Sequence, residues 1–235
     1  IIKVGTSTLT RRTSSGHIEL DTISFKRIAT QVIRLHADGV FVIVVSSAAI
    51  TAGMTAVNLK ERPVNQDDTM PTLQALASIG WRHVLNAWSD ALEPKVIGEL
   101  LVTKNELGRS EERSELLRVT RALLDQGIVP IVNENDAITH DEIAFGDNDT
   151  LAARFAVKIK QSQLFGGEVA LIILSDVDGV YENIEDSSSL IREIKNVDSY
   201  AHVVTGVVSD GGTGGMHTKF NAARIACRHG VDIYI

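Results

Sequence analysis

The chain has 235 residues, 44% of them apolar, enough for a substantial buried core. With 23 Lys and Arg against 30 Asp and Glu it carries a net charge of −7, which argues against nucleic acid or an anionic membrane as the main partner. The single cysteine, Cys227, excludes an internal disulfide framework and a multi-cysteine zinc site, no apolar run approaches the roughly 18 residues of a membrane span, and no signal peptide is recognisable.

A reducing, cytoplasmic setting is therefore expected. The chain opens and closes inside apparent strands, so both ends read as cut from a longer chain. The first apolar run is Ile1–Val4, and it carries Lys3, a costly residue if it points into a core. Gly5 follows and turns the chain, exposing amides and hydroxyls of the kind that bind anions in α/β proteins. Asp21 is placed to cap a helix that runs to about Asp38 and stops at Gly39. A strand over Val40–Val45 leads into Ser46-Ser47-Ala48, where the two serines can cap the next helix or offer free amides. Met70–Leu92 has a long helical pattern, Val96–Val102 is a strand, and Ser110 with Glu111 and Glu112 opens a helix ending at Gly127.

The strand Ile128–Val132 runs directly into Asn133-Glu-Asn-Asp136. Four polar residues at the carboxyl end of a strand lie where open α/β sheets bind ligands. A helix begins near Asn148, within Asp147-Asn148-Asp149, and these three polar groups exceed what a cap needs. Another strand covers Val169–Leu174, and segment 182–210 has weak patterning compatible with a small antiparallel excursion. Gly211–Lys219 is glycine-rich, opens a helix and ends in a lysine. It fails the P-loop pattern, since Thr218-Lys219-Phe220 stands where Gly-Lys-Ser/Thr is required, and it fails the dinucleotide fingerprint at His217. The physics of the loop survives: bare amides, a helix N-terminus and a lysine one turn in all favour a phosphate. A last strand spans Asp232–Ile235. The seven histidines show no metal-ligand spacing. Continuous apolar strands alternating with helices predict an α/β fold with a mainly parallel sheet, over a single domain, 1–235.

Four stretches in order, IVNENDAI (131–138), FGDNDTLAA (145–153), LSDVDGVY (174–181) and GTGGMHTK (212–219), together resemble the amino acid kinase family. IKVGTSTLT (2–10) and VSSAAITAG (45–53) fit more loosely, and the resemblance covers the whole chain. It is strongest to the branch that phosphorylates the side-chain carboxylate of free L-glutamate, the first step of proline biosynthesis. The resemblance implies a three-layer α/β/α sandwich, ATP and Mg²⁺ as cofactors, a homo-oligomer (dimer or tetramer), and proline as a candidate feedback inhibitor. It further implies that Lys3 and Lys219 flank the transferred phosphoryl group and that Asp149 organises them. Ser47, Asn133, Asp136, Asp147 and Asn148 would hold glutamate. Ser175 and Asp176 would lie near the nucleotide, with Thr213, Gly214, Gly215, Met216 and Lys219 closing over its phosphates. Mg²⁺ would be carried mainly by those phosphates and water.

Three features depart from the family pattern. Ala48 stands where glycine is usual, and an alanine there is expected to need a negative φ, with ordinary helix-entry dihedrals. The stretch Val157–Glu168 is longer than expected before the next strand. No C-terminal RNA-modification-type domain, common in bacterial members, is visible. Two alternatives stay open: another family member acting on acetylglutamate, aspartate or carbamate, and an inactive nucleotide- or amino-acid-sensing module. A Rossmann dehydrogenase is a distant third.

Overall fold

The computed structural model describes residues 1–14, 16–63, 69–138, 148–183, 185–200 and 215–235. Its elements in chain order are β1 (Ile2–Val4), α1 (Thr6–Leu9), β2 (Thr10–Arg12), β3 (Ile18–Leu20), α2 (Thr22–Ala37), β4 (Val44–Ser46), α3 (Ala49–Ala56), α4 (Thr69–Leu92), β5 (Ile97–Val102), α5 (Lys104–Gly108), α6 (Ser110–Asp125), β6 (Val129–Glu134), α7 (Asn148–Gln161), β7 (Ala170–Leu174), β8 (Val180–Tyr181), β9 (Leu190–Ile191), α8 (Met216–Cys227) and β10 (Asp232–Tyr234). The six apolar runs of the sequence become one sheet, ordered β10-β7-β1-β4-β6-β5, and every pairing in it is parallel.

Side-chain alternation along these strands sets the layers. Ile2, Val4, Val44, Val129 and Ile131 pack with Phe25, Val32, Trp81, Val84 and Trp88 from α2 and α4 on one face. Val45, Val132, Leu171 and Ile173 pack with α5, α6, α7 and α8 on the other. The result is the expected α/β/α sandwich. Local chemistry starts and stops the helices as the sequence implied. Asp21 accepts a hydrogen bond from the Ile23 N–H and another from the Ser24 hydroxyl, and Gly39, with φ +77°, lies just beyond the end of α2.

Two small antiparallel pairs decorate the sheet, β2–β3 and β8–β9. The second is the excursion expected near segment 182–210, and the first had no clear alternating signal. Helices α3 and α4 touch backbone to backbone. A Cβ added to Gly53 would lie 1.9 Å from the Leu76 carbonyl oxygen, and one added to Gly80 would lie 1.9 Å from the Ala49 carbonyl oxygen. That contact fixes the entry of α3, the end of the helix nearest the site. The long stretch after the Asn148 helix is partly helix, since α7 runs to Gln161. The remaining turn is tied by an exposed Lys160–Glu168 pair at 2.7 Å. No described helix is long and apolar enough to cross a membrane.

Candidate active site

Because the sheet is parallel, all its strands deliver their carboxyl ends to one edge, where such sheets bind ligands. Lys3 reaches that edge from β1, an interior strand and not an edge strand. In register with Val45 and Ile173, it projects into the α7–α8 layer. It is 6% exposed, and its ammonium lies 2.6 Å from Oδ1 of Asp149, which is 0% exposed. Lys219, in the second turn of α8, lies 3.9 Å from Oδ2 of the same carboxylate. The Thr218 hydroxyl donates to that Oδ2 at 2.7 Å. One buried carboxylate thus bridges two buried lysines brought together from β1 and α8. A Cβ on Gly5 would stand 3.5 Å from the Lys3 nitrogen, so the glycine leaves that side of the ammonium open.

The electrostatics follow from this geometry. Burial pushes the Asp149 pKa up, but Lys3, Lys219 and the hydrogen bonds from Lys3 and Thr218 outweigh it and hold the carboxyl below its ordinary value. Burial lowers the Lys219 pKa, with Asp149 opposing that, Lys3 adding to it and Asp176 opposing it. Asp176 therefore stands within electrostatic reach of Lys219. Ser175 follows the end of β7, and its hydroxyl lies 3.4 Å from the Asp176 carboxylate.

Asn148, the residue before Asp149, anchors a second cluster. Its side-chain amide nitrogen lies 2.9 Å from the Ser47 hydroxyl and donates to Asn133 Oδ1 at 3.0 Å. Asn133 in turn donates to Asp136 at 3.0 Å. Ser47, Asn148, Asn133 and Asp136, predicted as one substrate site, do form one connected row. Burial, helped by Glu134, pushes the Asp136 pKa up to about 6, while Asn133 and Arg62 pull it down. Among the described residues the buried acceptor Oδ1 of Asn148 has no hydrogen-bond donor, as suits an atom aimed at a ligand's donor.

Gly215 is the N-cap of α8 and Met216 its first residue, as the loop reading required. Asp147, Thr213 and Gly214 lie outside the described residues. Two expectations need correction. Ser46 and Ser47 do not cap α3: the Ser46 hydroxyl accepts from the Trp88 indole at 2.8 Å, and Ser47 serves Asn148. The N-cap is Ala48, and its φ is +81° with ψ 7°, a left-handed conformation and not the ordinary helix entry expected for alanine. The turn aims Ser47 at Asn148 while Ala49 already enters a helix locked against Gly80. Glycine would meet that demand without strain, whereas alanine carries about 1–2 kcal/mol of it.

Residue-type reasoning did not single out Thr218, Asn221 or Arg62. Thr218 had a readable signal, a hydroxyl in the first turn of a glycine-opened helix beside the lysine. Asn221 bolts α8 to α7 through Thr150 at 3.1 Å. Arg62 acts on Asp136 from a distant stretch of chain, and no local pattern announces it.

The sequence profile described as the amino acid kinase family matches residues 1–235. A glutamate 5-kinase of Clostridium acetobutylicum is 39% identical over 241 aligned positions, covering 100% of this chain and 85% of the relative. Its counterpart from Symbiobacterium thermophilum is 37% identical, covering 100% and 86%. That of Thermus thermophilus is 37% identical over 98% of this chain, which spans 59% of that longer protein. Among solved structures, an isopentenyl phosphate kinase substrate complex aligns at TM-score 0.58 and 15% identity, covering 99% of this chain and 89% of the other. The UMP kinase of Bacillus anthracis aligns at TM-score 0.55 and 15% identity, covering 95% and 81%. The two structures speak for the fold alone, and the curated relatives for the finer grouping. The chain belongs to the amino acid kinase family, among the glutamate 5-kinases.

Proposed function

We propose that this chain transfers the γ-phosphoryl group of ATP to the side-chain carboxylate of L-glutamate, yielding glutamyl 5-phosphate and ADP, the first step of proline biosynthesis. The observation that carries the reading is the adjacency of Asn148 and Asp149. The first belongs to a row of amide, hydroxyl and carboxylate groups suited to a free amino acid, the second to a buried pair of lysines suited to a moving phosphoryl group. A carboxylate oxygen attacks the γ-phosphorus, and the bond to the β–γ bridging oxygen breaks. The acceptor is already ionised near neutral pH, so no general base is needed. Such transfer rests on positioning and charge neutralisation. Lys3 and Lys219 supply the positive charge, while Asp149 and Thr218 hold them aimed. Residues 1–235 act as one domain in this reading.

The substrate roles follow the same division. Asp136 meets the ammonium group, with Ser47, Asn133, Asn148 and Asp147 completing the amino-acid site. Ser175, Asp176 and the loop Thr213–Met216 attend the nucleotide. A mainly apolar cavity of about 440 Å³ between β9, α8 and β10, lined by Val180, Ile191, Phe220 and Ala223 among others, has the size and character of a nucleoside site. Both oxygens of Asp149 are engaged by Lys3, Thr218 and Lys219, and among the described residues no group of three His, Cys, Asp or Glu converges on a metal position. The donor set therefore fits Mg²⁺ carried on the nucleotide's phosphates and water, with Asp176 the exposed carboxylate on that side. When bound, the ion neutralises phosphate charge.

An acid at Asp136 favours free glutamate over acetylglutamate, whose blocked nitrogen brings no ammonium. The buried lysine pair favours an active kinase over a sensing module. A cytoplasmic homo-oligomer with proline as feedback inhibitor completes the proposal. An ADP-release assay with ATP·Mg²⁺ against L-glutamate, acetylglutamate, aspartate and carbamate tests it. Activity confined to L-glutamate is expected, and turnover of another acceptor in its place would overturn the assignment.

A further inference from the structure

Ser46, the last residue of β4, is a buried hydroxyl in an otherwise apolar strand. Strand alternation puts it on the side of Val44, which packs with α2 and α4, while Ser47 serves α7 on the other side. Trp88, near the end of α4, meets Ser46 there. The indole N–H lies 2.8 Å from the Ser46 hydroxyl oxygen, and both residues are fully buried. Phe25 of α2 holds the indole in an edge-on contact, with ring centroids 4.8 Å apart.

The hydrogen bonds run in one direction. An indole N–H can only donate, so the Ser46 oxygen accepts and its own proton is left for another acceptor. The Ser47 carbonyl oxygen, 3.3 Å away, takes it. From the opposite layer the Asn148 side-chain nitrogen lies 3.4 Å from the Ser46 carbonyl oxygen and 2.9 Å from the Ser47 hydroxyl. The Ser47 N–H donates to the Val4 carbonyl at 3.1 Å. The Ser46-Ser47 dipeptide is thus gripped by α4 from one side of the sheet and by α7 from the other. The Ser47 carbonyl lies in the peptide plane that carries the Ala48 N–H, and the φ of Ala48 is the rotation of that plane. At +81° the rotation is unfavourable for alanine, and such a conformation persists only where its neighbours hold it.

We infer that Trp88 is a positioning residue for the amino-acid site, acting through Ser46 to hold the Ser47-Ala48 peptide and so keep the Ser47 hydroxyl aimed at Asn148. The inference rests on the amino-acid site proposed above. A buried Trp–Ser pair would on its own account for stability alone. The functional reading comes from where the hydrogen bonds end, at a left-handed turn beside a side chain of the substrate row. Without the indole donor the Ser46 hydroxyl is free to rotate. The Ser47-Ala48 plane then relaxes towards negative φ, and Ser47 loses its aim. The loss falls on the amino acid and not on the nucleotide, because Lys3, Asp149 and Lys219 reach the site from β1, α7 and α8.

Trp88→Phe, Ser46→Ala and the double variant test this. Phenylalanine keeps a ring against Phe25 and removes the donor. Ser46→Ala strands the buried indole N–H, whereas the double variant leaves no orphaned group. The double variant should therefore melt closer to wild type than Ser46→Ala does, yet bind L-glutamate as poorly. By calorimetric titration L-glutamate should weaken roughly 3- to 10-fold in all three, the range for one neutral hydrogen bond, and ADP by less than about twofold. Hydrogen exchange at the Ser47 N–H should quicken in all three relative to the amides of β7. Trp88→Phe carries the test if Ser46→Ala fails to fold. A double variant that regains both stability and glutamate affinity marks a purely structural pair and overturns the inference, as do equal losses for both ligands or an unmoved Ser47 amide. ADP release on the same proteins separates the two readings. The expected changes in Ser47 exchange and L-glutamate binding, with no ADP formed from L-glutamate, contradict the kinase proposal alone. ADP formed from L-glutamate with the Ser47 amide unmoved contradicts the role of Trp88 alone.

Discussion

Gly80 sits in the middle of α4, where alanine ordinarily adds about 1 kcal/mol of helix stability. Here the sign should reverse. An added Cβ would lie 1.9 Å from the Ala49 carbonyl oxygen, 2.2 Å from the Gly53 nitrogen and 2.9 Å from the Gly53 Cα. All three atoms are backbone of α3, so no side chain can swing away. Restoring ordinary separations of roughly 3.5 Å requires α3 to retreat by about 1.5 Å. Overpacking of this kind costs about 1–3 kcal/mol, and a rigid partner places it at the upper end. Subtracting the helix gain leaves Gly80→Ala destabilised by about 2 kcal/mol. For a domain of this size that is a fall of roughly 4–8 °C in Tm. Urea unfolding read by circular dichroism, beside a thermal melt, measures it. Since α3 begins at the Ser47-Ala48 turn, the same variant should raise KM for glutamate more than KM for ATP. A variant as stable as wild type, or more stable, would refute the close approach of α3 and α4 and the way it fixes the Ser47 turn.

Asp149→Asn should cut kcat at least about 100-fold while changing KM for glutamate little, because the carboxylate aims lysines and does not hold substrate; a large rise in KM with kcat intact would move Asp149 to the substrate site. Asp149 also links stability to pH: its folded pKa is depressed, so its stabilisation is present above the unfolded carboxyl value of about 3.9 and is lost as pH falls through the lower folded pKa. Acid unfolding of Asp149→Asn should accordingly show a weaker pH dependence than wild type in that range. Asp136 behaves oppositely, with its pKa pushed up to about 6, so below that pH it takes up a proton and loses its hold on an ammonium group. Glutamate affinity should fall about tenfold per pH unit below 6, and Asp136→Asn should be weak at every pH with that limb flattened; an unchanged limb in the variant would assign it to another group.

Much of the fold was legible because its signals are local. Apolar runs such as Val169–Leu174 and the Asp21 cap depend on neighbours in sequence, and they matched strands and helix ends closely. The β2–β3 pair was not legible, since three-residue strands carrying Arg11, Arg12 and Glu19 show little burial pattern. In the site, Lys3, Asp149 and Lys219 could be named because charged residues amid apolar ones are conspicuous. Their mutual contact could not be read, as it joins β1, α7 and α8 across the fold. Ala48 departs from its expected negative φ for a related reason. Its φ is imposed by Ser47 reaching Asn148 and by the Gly80 contact, both tertiary, and these override the residue's own preference. Arg62 was silent in sequence because its meaning lies in Asp136, more than seventy positions away.

Turnover of Lys219→Ala tests most directly whether the Lys3–Asp149–Lys219 cluster carries phosphoryl transfer to L-glutamate. With ATP·Mg²⁺ and saturating L-glutamate, ADP release by the variant should fall at least about 100-fold below wild type, the loss of roughly 3 kcal/mol of transition-state stabilisation, with the fold intact by circular dichroism. A kcat within about threefold of wild type would contradict it.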